Sequence, residues 1–112
     1  MVKIEAYLRP AALEQVQEAL AGIGIAGLSV LEVRGYGRQR GHREVYRGAE
    51  YTVDFVPKIK VEIAVSDDTK QQAIDVVVEA AKTGQVGDGK VFVVPVTEAV
   101  RVRTGETGNS AL

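Results

Sequence analysis

The chain contains no cysteine and no tryptophan, and it has a single histidine and a single methionine in 112 residues. Without cysteine there is no disulfide framework, no thiolate nucleophile and no sulfur-ligated zinc, a pattern that suits a cytoplasmic protein. His42 has no second histidine or cysteine with which to share a metal, and it reads as a solvated loop residue. No Ser-His-Asp or Cys-His set exists, and the carboxylates are scattered, so hydrolytic or redox catalysis finds no support. No apolar run approaches the length of about 18 residues that would suggest a membrane-spanning helix. The opening MVKIEAYLRP is a charged alternation rather than a signal peptide. Neither sign of charge dominates: 14 Lys and Arg stand against 15 Asp and Glu, for a net charge of −1. No global field therefore draws nucleic acid or an anionic membrane. With two Phe and no Trp, the chain also lacks the aromatics on which an RNA-binding sheet stacks bases.

What is present is one pattern used twice. Val2, Ile4, Ala6 and Leu8 alternate with polar residues as a half-buried strand. Pro10 suits a first helical turn. Leu13, Val16, Leu20 and Ile23 follow at helical spacing, ended by Gly22 and Gly24. A second strand is expected over Leu28–Tyr36. The pattern returns with Ile59, Val61, Ile63 and Val65, then a helix capped by Ser66 or Asp67 with an apolar stripe of Ile74, Val77, Val78 and Ala81. Glycines at 84, 87 and 89 break it before a short buried strand, Val91–Val94. The order β-α-β-β-α-β predicts an α+β, ferredoxin-like sandwich with two helices on one face of an antiparallel sheet. Val100–Arg103 is expected to add a short strand, and the polar residues after Thr104 to fray. The second sheet face offers Glu5, Tyr7, Lys60, Glu62 and Ala64, which suits either a monomer or faces packed around an axis.

Charge is concentrated locally. The segment 37–55, GRQRGHREVYRGAEYTVDF, carries Arg38, Arg40, Arg43 and Arg47. It exceeds the roughly 12–15 residues beyond which a loop is usually functional or disordered. TGQVGDGKV at 83–91 contains G-x-x-x-x-G-K, yet Val91 stands where a P-loop needs Ser or Thr. A helix also precedes this loop, where a P-loop needs a strand before it and a helix after it. An NTPase or kinase is thus disfavoured. The glycines and Lys90 could still gather around an anion, or form only a flexible turn. Arg101 and Arg103, two apart, could present parallel forks to a polyphosphate, or be ordinary surface charge. Gln39 and Lys58 lie near each other at the loop's neck if the flanking strands pair.

Tyr46-Arg47-Gly48-Ala49-Glu50-Tyr51 and Thr83-x-x-x-Gly87-Asp88-Gly89-Lys90-Val91-Phe92 resemble the two signature segments of the PII nitrogen-regulatory signal proteins. GYGRQRGH, EYTVDFVPKIK and VRVRTGE fit the same family in order and spacing, over nearly the whole chain. The resemblance implies a non-enzymatic cytoplasmic homotrimer with inward-packed sheets, a T-loop (about 37–55), a B-loop (about 82–90) and a C-loop (about 100–105). It implies ATP or ADP bound between subunits. Gly37, Arg38, Gly87, Asp88, Gly89 and Lys90 would take the phosphates from one side, Arg101 and Arg103 from the neighbour. Gly27, Ser29, Glu62 and Ala64 would line base and ribose. Mg²⁺ would bridge ATP and 2-oxoglutarate with Gln39 in its shell. Lys58 would pair the distal carboxylate, aided by Arg9 and by backbone near Arg40, Gly41 and Gly87. Tyr51 matches the residue that some members uridylylate or adenylylate, and Ala49 stands where one branch phosphorylates Ser. Implied partners are an ammonium transporter, with Arg47 at the pore mouth, enzymes controlling glutamine synthetase, or N-acetylglutamate kinase. Nucleic acid is not among them, and a membrane is met only through a transporter. Ser29 replaces a usual Thr, Arg40 a usual Lys, and Ala11-Ala12 a common Phe-Lys, leaving less volume to pack near the first helix.

Overall fold

Strict alternation along Val2–Leu8 makes β1, whose seven residues switch between buried and half-buried at every step. A computed structural model describes residues 1–36, 43–46, 49–52 and 55–112, with backbone alone for 43–46 and 49–52. Pro10–Ala12 forms a 3₁₀ turn with proline at its start, and it runs into α1 (Leu13–Gly22). Gly24, with φ of 87°, turns the chain out of α1 in a conformation that a side chain would disfavour. β2 (Ser29–Gly35), β3 (Arg43–Tyr46), β4 (Ala49–Thr52) and β5 (Val56–Val65) follow, then α2 (Asp67–Ala81) and β6 (Gly89–Pro95). The main sheet has four antiparallel strands in the order β2-β5-β1-β6. Both helices cover one face, which is the ferredoxin-like arrangement that the alternation predicts.

The core is the side chains that this arrangement turns inward. Ile4, Ala6 and Leu8 of β1, and Val61 and Ile63 of β5, meet Val16 and Leu20 of α1 and Ala73, Val77 and Ala81 of α2, all at 5% exposure or less. Burying each of the larger ones contributes about 1.5–3 kcal/mol. Ala12 lies in the same cluster at 1%, so the start of the first helix is seated in the core despite its small side chains. Among the described residues no helix is long and apolar enough to cross a membrane.

Four expectations need correction. In the α2 stripe Val77 and Ala81 are buried and Ile74 packs half-buried against the core as expected, but Ala73 takes the remaining buried place and Val78 is 45% exposed. β6 is longer than Val91–Val94 and is not buried, because it is an edge strand and Phe92, Val93 and Val94 are exposed in the single chain. Val100–Arg103 is no strand: Val100 makes one isolated bridge to Thr107, and a turn lies between them. Nor is the tail frayed. Gly108–Ala111 is a 3₁₀ turn, and Gly108 N–H bonds the Ala99 carbonyl at 3.0 Å. Within the segment expected as one long loop, β3 and β4 pair antiparallel, with Tyr51 opposite Glu44.

Candidate functional site

Residues 83–89 join α2 to β6, and one carboxylate organises them. Asp88 accepts hydrogen bonds from the Thr83 N–H (2.7 Å), the Gly84 N–H (2.8 Å) and the Thr83 hydroxyl. The Thr83 hydroxyl in turn accepts from the Gln85 N–H at 3.2 Å. These bonds, led by the Thr83 hydroxyl, hold the Asp88 carboxyl down to about 2. Arg9, just after β1, closes the turn from the other side. Its Nη2 donates to the Ala81 carbonyl at 3.0 Å, and its Nε lies 3.6 Å from Asp88 Oδ1. That Nε is buried and makes no hydrogen bond.

Gly89 must be glycine for two reasons. Its φ is 118°, and a Cβ there would lie 1.8 Å from the Tyr7 carbonyl oxygen. This close approach lets β6 pair with β1 directly from the turn, with Leu8 opposite Gly89 and Tyr7 opposite Lys90. Lys90 is therefore delivered to the uncovered face beside Tyr7, and it makes no ion pair among the described residues.

Lys58 reaches the same turn from β5. Its Nζ donates to the Gly87 carbonyl at 2.7 Å. Burial first, and the Arg9 guanidinium second, push the Lys58 ammonium below its ordinary range, against the opposing pull of Asp88. β2 and β5 pair up to the loop's neck, where Gly35 faces Val56 and Val33 faces Lys58. A cleft of about 800 Å³ opens between that neck and the glycine turn. Arg34, Lys58, Lys90, Gly87 and Gly89 supply its polar edge, with Tyr36, Val86 and Phe92 among its apolar lining. Apolar walls with a few convergent polar groups are the usual make-up of a small-ligand site.

Other predicted residues lie elsewhere. Ser29 pairs with Glu62 in the sheet row of Glu5 and Phe92. Glu62 is tied to Lys3 at 2.9 Å, within a network that also joins Lys3 to Glu5 and Lys60 to both carboxylates. Ala64 and Gly27 are exposed. β1 stands between this group and Lys90, so one chain does not bring the two sets together. β6 ends at Pro95 beside Val2, six residues or about 20 Å from the glycine turn, and the tail bearing Arg101 and Arg103 departs from that end. Gly37, Arg38, Gln39, Arg40, Gly41, His42 and Arg47 lie outside the described residues. Among the described residues no three acidic or histidine side chains gather as a metal site.

Sequence reading gave no role to Thr83 and read Asp88 only as a phosphate-side residue. The usable signal was their spacing: a hydroxyl and a carboxylate bracketing a glycine-rich run can close it by side chain to backbone bonds. Also unforeseen was the contact of Tyr7 and Phe92, edge to face at 5.9 Å on the open sheet. Glu5 and Glu62 share that face with their ion-pair partners Lys3 and Lys60.

Comparison with known proteins agrees with this arrangement. The family model described as nitrogen regulatory protein P-II matches residues 1–106. Nitrogen regulatory protein P-II of Cereibacter sphaeroides is 53% identical, and that of Bradyrhizobium diazoefficiens 54%, each over 112 residues and the whole of both chains. A crystal structure of Arabidopsis thaliana PII bound to citrate superposes with a TM-score of 0.83 at 42% identity, covering 99% of this chain and 91% of that one. The names these relatives carry are those of regulators, not of enzymes. Full-length similarity and a shared fold place this chain in the nitrogen regulatory protein P-II family.

Proposed function

We propose that this regulator senses ATP or ADP together with 2-oxoglutarate in the cytoplasm, and passes the state to partner proteins through the segment 37–55. The observation that carries this reading is the cleft at the loop's neck, where Lys58 is drawn against Gly87 beside Lys90 and the glycine turn. A desolvated ammonium beside a guanidinium is stabilised by an incoming carboxylate or phosphate. In this reading Gly37, Arg38, Gly87, Asp88, Gly89 and Lys90 take the phosphates, Asp88 through its backbone because its carboxylate is committed to the turn. Lys58 pairs the distal carboxylate of 2-oxoglutarate, with Arg9 and the backbone at Arg40 and Gly41 nearby.

Gly27, Ser29, Glu62 and Ala64 belong to a second wall. Their separation from Lys90 in one chain supports a nucleotide seated between neighbours of a homotrimer, with Arg101 and Arg103 reaching across. Gln39 would hold Mg²⁺. An amide oxygen is a hard neutral donor suited to that ion, which takes most of its other oxygens from phosphates and water. When bound, the ion would supply charge neutralisation to the anionic ligands. The Arabidopsis relative bound citrate, a polycarboxylate, which supports small carboxylates as ligands of this fold. Partner choice, whether ammonium transporter or enzymes of glutamine and N-acetylglutamate metabolism, would lie in the loop that bears Arg47 and Tyr51.

Calorimetry tests the reading. 2-Oxoglutarate should bind tightly with MgATP and weakly with ADP, by the reciprocity of coupled sites. Lys58→Ala should abolish 2-oxoglutarate binding while ATP binding persists. Equal 2-oxoglutarate binding with ADP and ATP would overturn it.

A further inference from the structure

Of the cations assigned to phosphate, the three among the described residues differ in what they already hold. Lys90 and Arg103 make no ion pair among the described residues. Arg101 does: its Nη1 donates to Glu106 Oε1 at 2.9 Å and its Nη2 to the Leu112 carbonyl at 3.3 Å. Its main-chain N–H bonds the Glu106 carbonyl at 2.8 Å, and its own carbonyl accepts from Gly105 N–H at 2.7 Å. The turn 101–106 is thus wound around one guanidinium.

We propose that Glu106 is an internal stand-in for nucleotide phosphate, so that seating a nucleotide moves Arg101 from Glu106 to phosphate and loosens the turn over 101–108. The proposal rests on the reading above, in which Arg101 reaches phosphate. Its chemistry is competition for one planar fork, since a carboxylate and a phosphate present similar oxygen edges to a guanidinium. The exchange is feasible because the pair is exposed, at 36% for Arg101 and 45% for Glu106, and exposed pairs are weak. The turn is otherwise held by main-chain bonds rather than by apolar burial. Val100 is 58% and Val102 100% exposed, and the 3₁₀ turn after it buries no residue. Glu106 is then an affinity-setting residue that acts through Arg101 without touching the nucleotide.

The test titrates ATP into the full-length wild type, Glu106→Gln and Glu106→Asp, and follows hydrogen exchange of amides 101–108. The exchange arm reports the turn itself, which a merely structural role of Glu106 would not loosen on ATP addition. Expected are roughly two- to fivefold tighter ATP binding by Glu106→Gln, the span of an exposed ion pair, near-wild-type affinity in Glu106→Asp, and faster exchange of the wild-type turn when ATP is added. Unchanged or weaker ATP binding in Glu106→Gln, or slower exchange on ATP addition, would overturn the competition and leave the nucleotide reading standing. Absence of ATP binding in all three proteins would overturn the nucleotide reading and the competition with it.

Discussion

The turn at 83–89 and the turn at 101–106 are both short, glycine-bearing and closed by one carboxylate, yet they use that carboxylate in opposite ways. Asp88 gathers backbone N–H groups and the Thr83 hydroxyl, so it builds the turn and leaves Lys90 unpaired among the described residues. Glu106 grips the cation itself. A carboxylate spent on the backbone shapes a rigid cradle, whereas one spent on a guanidinium makes a contact that a stronger anion can displace. The first turn is also fastened to the sheet through Gly89 and through Lys58, while the second carries exposed valines.

Gly89→Ala should have the largest effect on this contrast. A positive φ and a clash with the Tyr7 carbonyl together should cost about 3 kcal/mol or more, read as a lower denaturant midpoint with disturbed β1–β6 amides. Thr83→Ala comes next. Removing a hydroxyl that both donates to Asp88 and accepts from Gln85 should cost about 1 kcal/mol, with faster exchange of the amides at 83–85. The Asp88 carboxyl lies near 2, below its ordinary value of 3.8. Its contribution is therefore complete above about 3.8 and is lost as pH falls through about 2. Stability should fall over that window, and Asp88→Asn should flatten the fall. Glu106→Gln should have the smallest effect on stability, no more than about 0.5 kcal/mol for an exposed pair; a loss as large as that of Thr83→Ala would show the two turns to be built alike.

Much of the fold was legible because β1 and β5 are central strands with one wet face, and such strands write their burial into a period of two. β6 reads as equally apolar, but its position at the sheet edge leaves Phe92, Val93 and Val94 exposed in the single chain. Nothing in its own sequence says which edge it occupies. In the α2 stripe only Val78 was misplaced, because Val78 and Ala73 are both acceptable core residues. At the site, glycine spacing announced the turn, while its closure by Thr83, Asp88 and Arg9 depends on a residue 72 positions from the carbonyl it meets.

By itself the sequence determined the six elements of the sandwich, their order and the family resemblance, since alternation, helical spacing and signature segments are local properties of the chain. Tertiary structure decided which charges are spoken for. Arg101 and Lys90 are alike on paper as cations near glycines, but one is paired and the other is not among the described residues, because only folding brings Glu106 and the Leu112 carbonyl onto the first and holds Asp88 away from the second. An ion pair depends on distance in space, and over these turns distance in sequence is a poor guide to it.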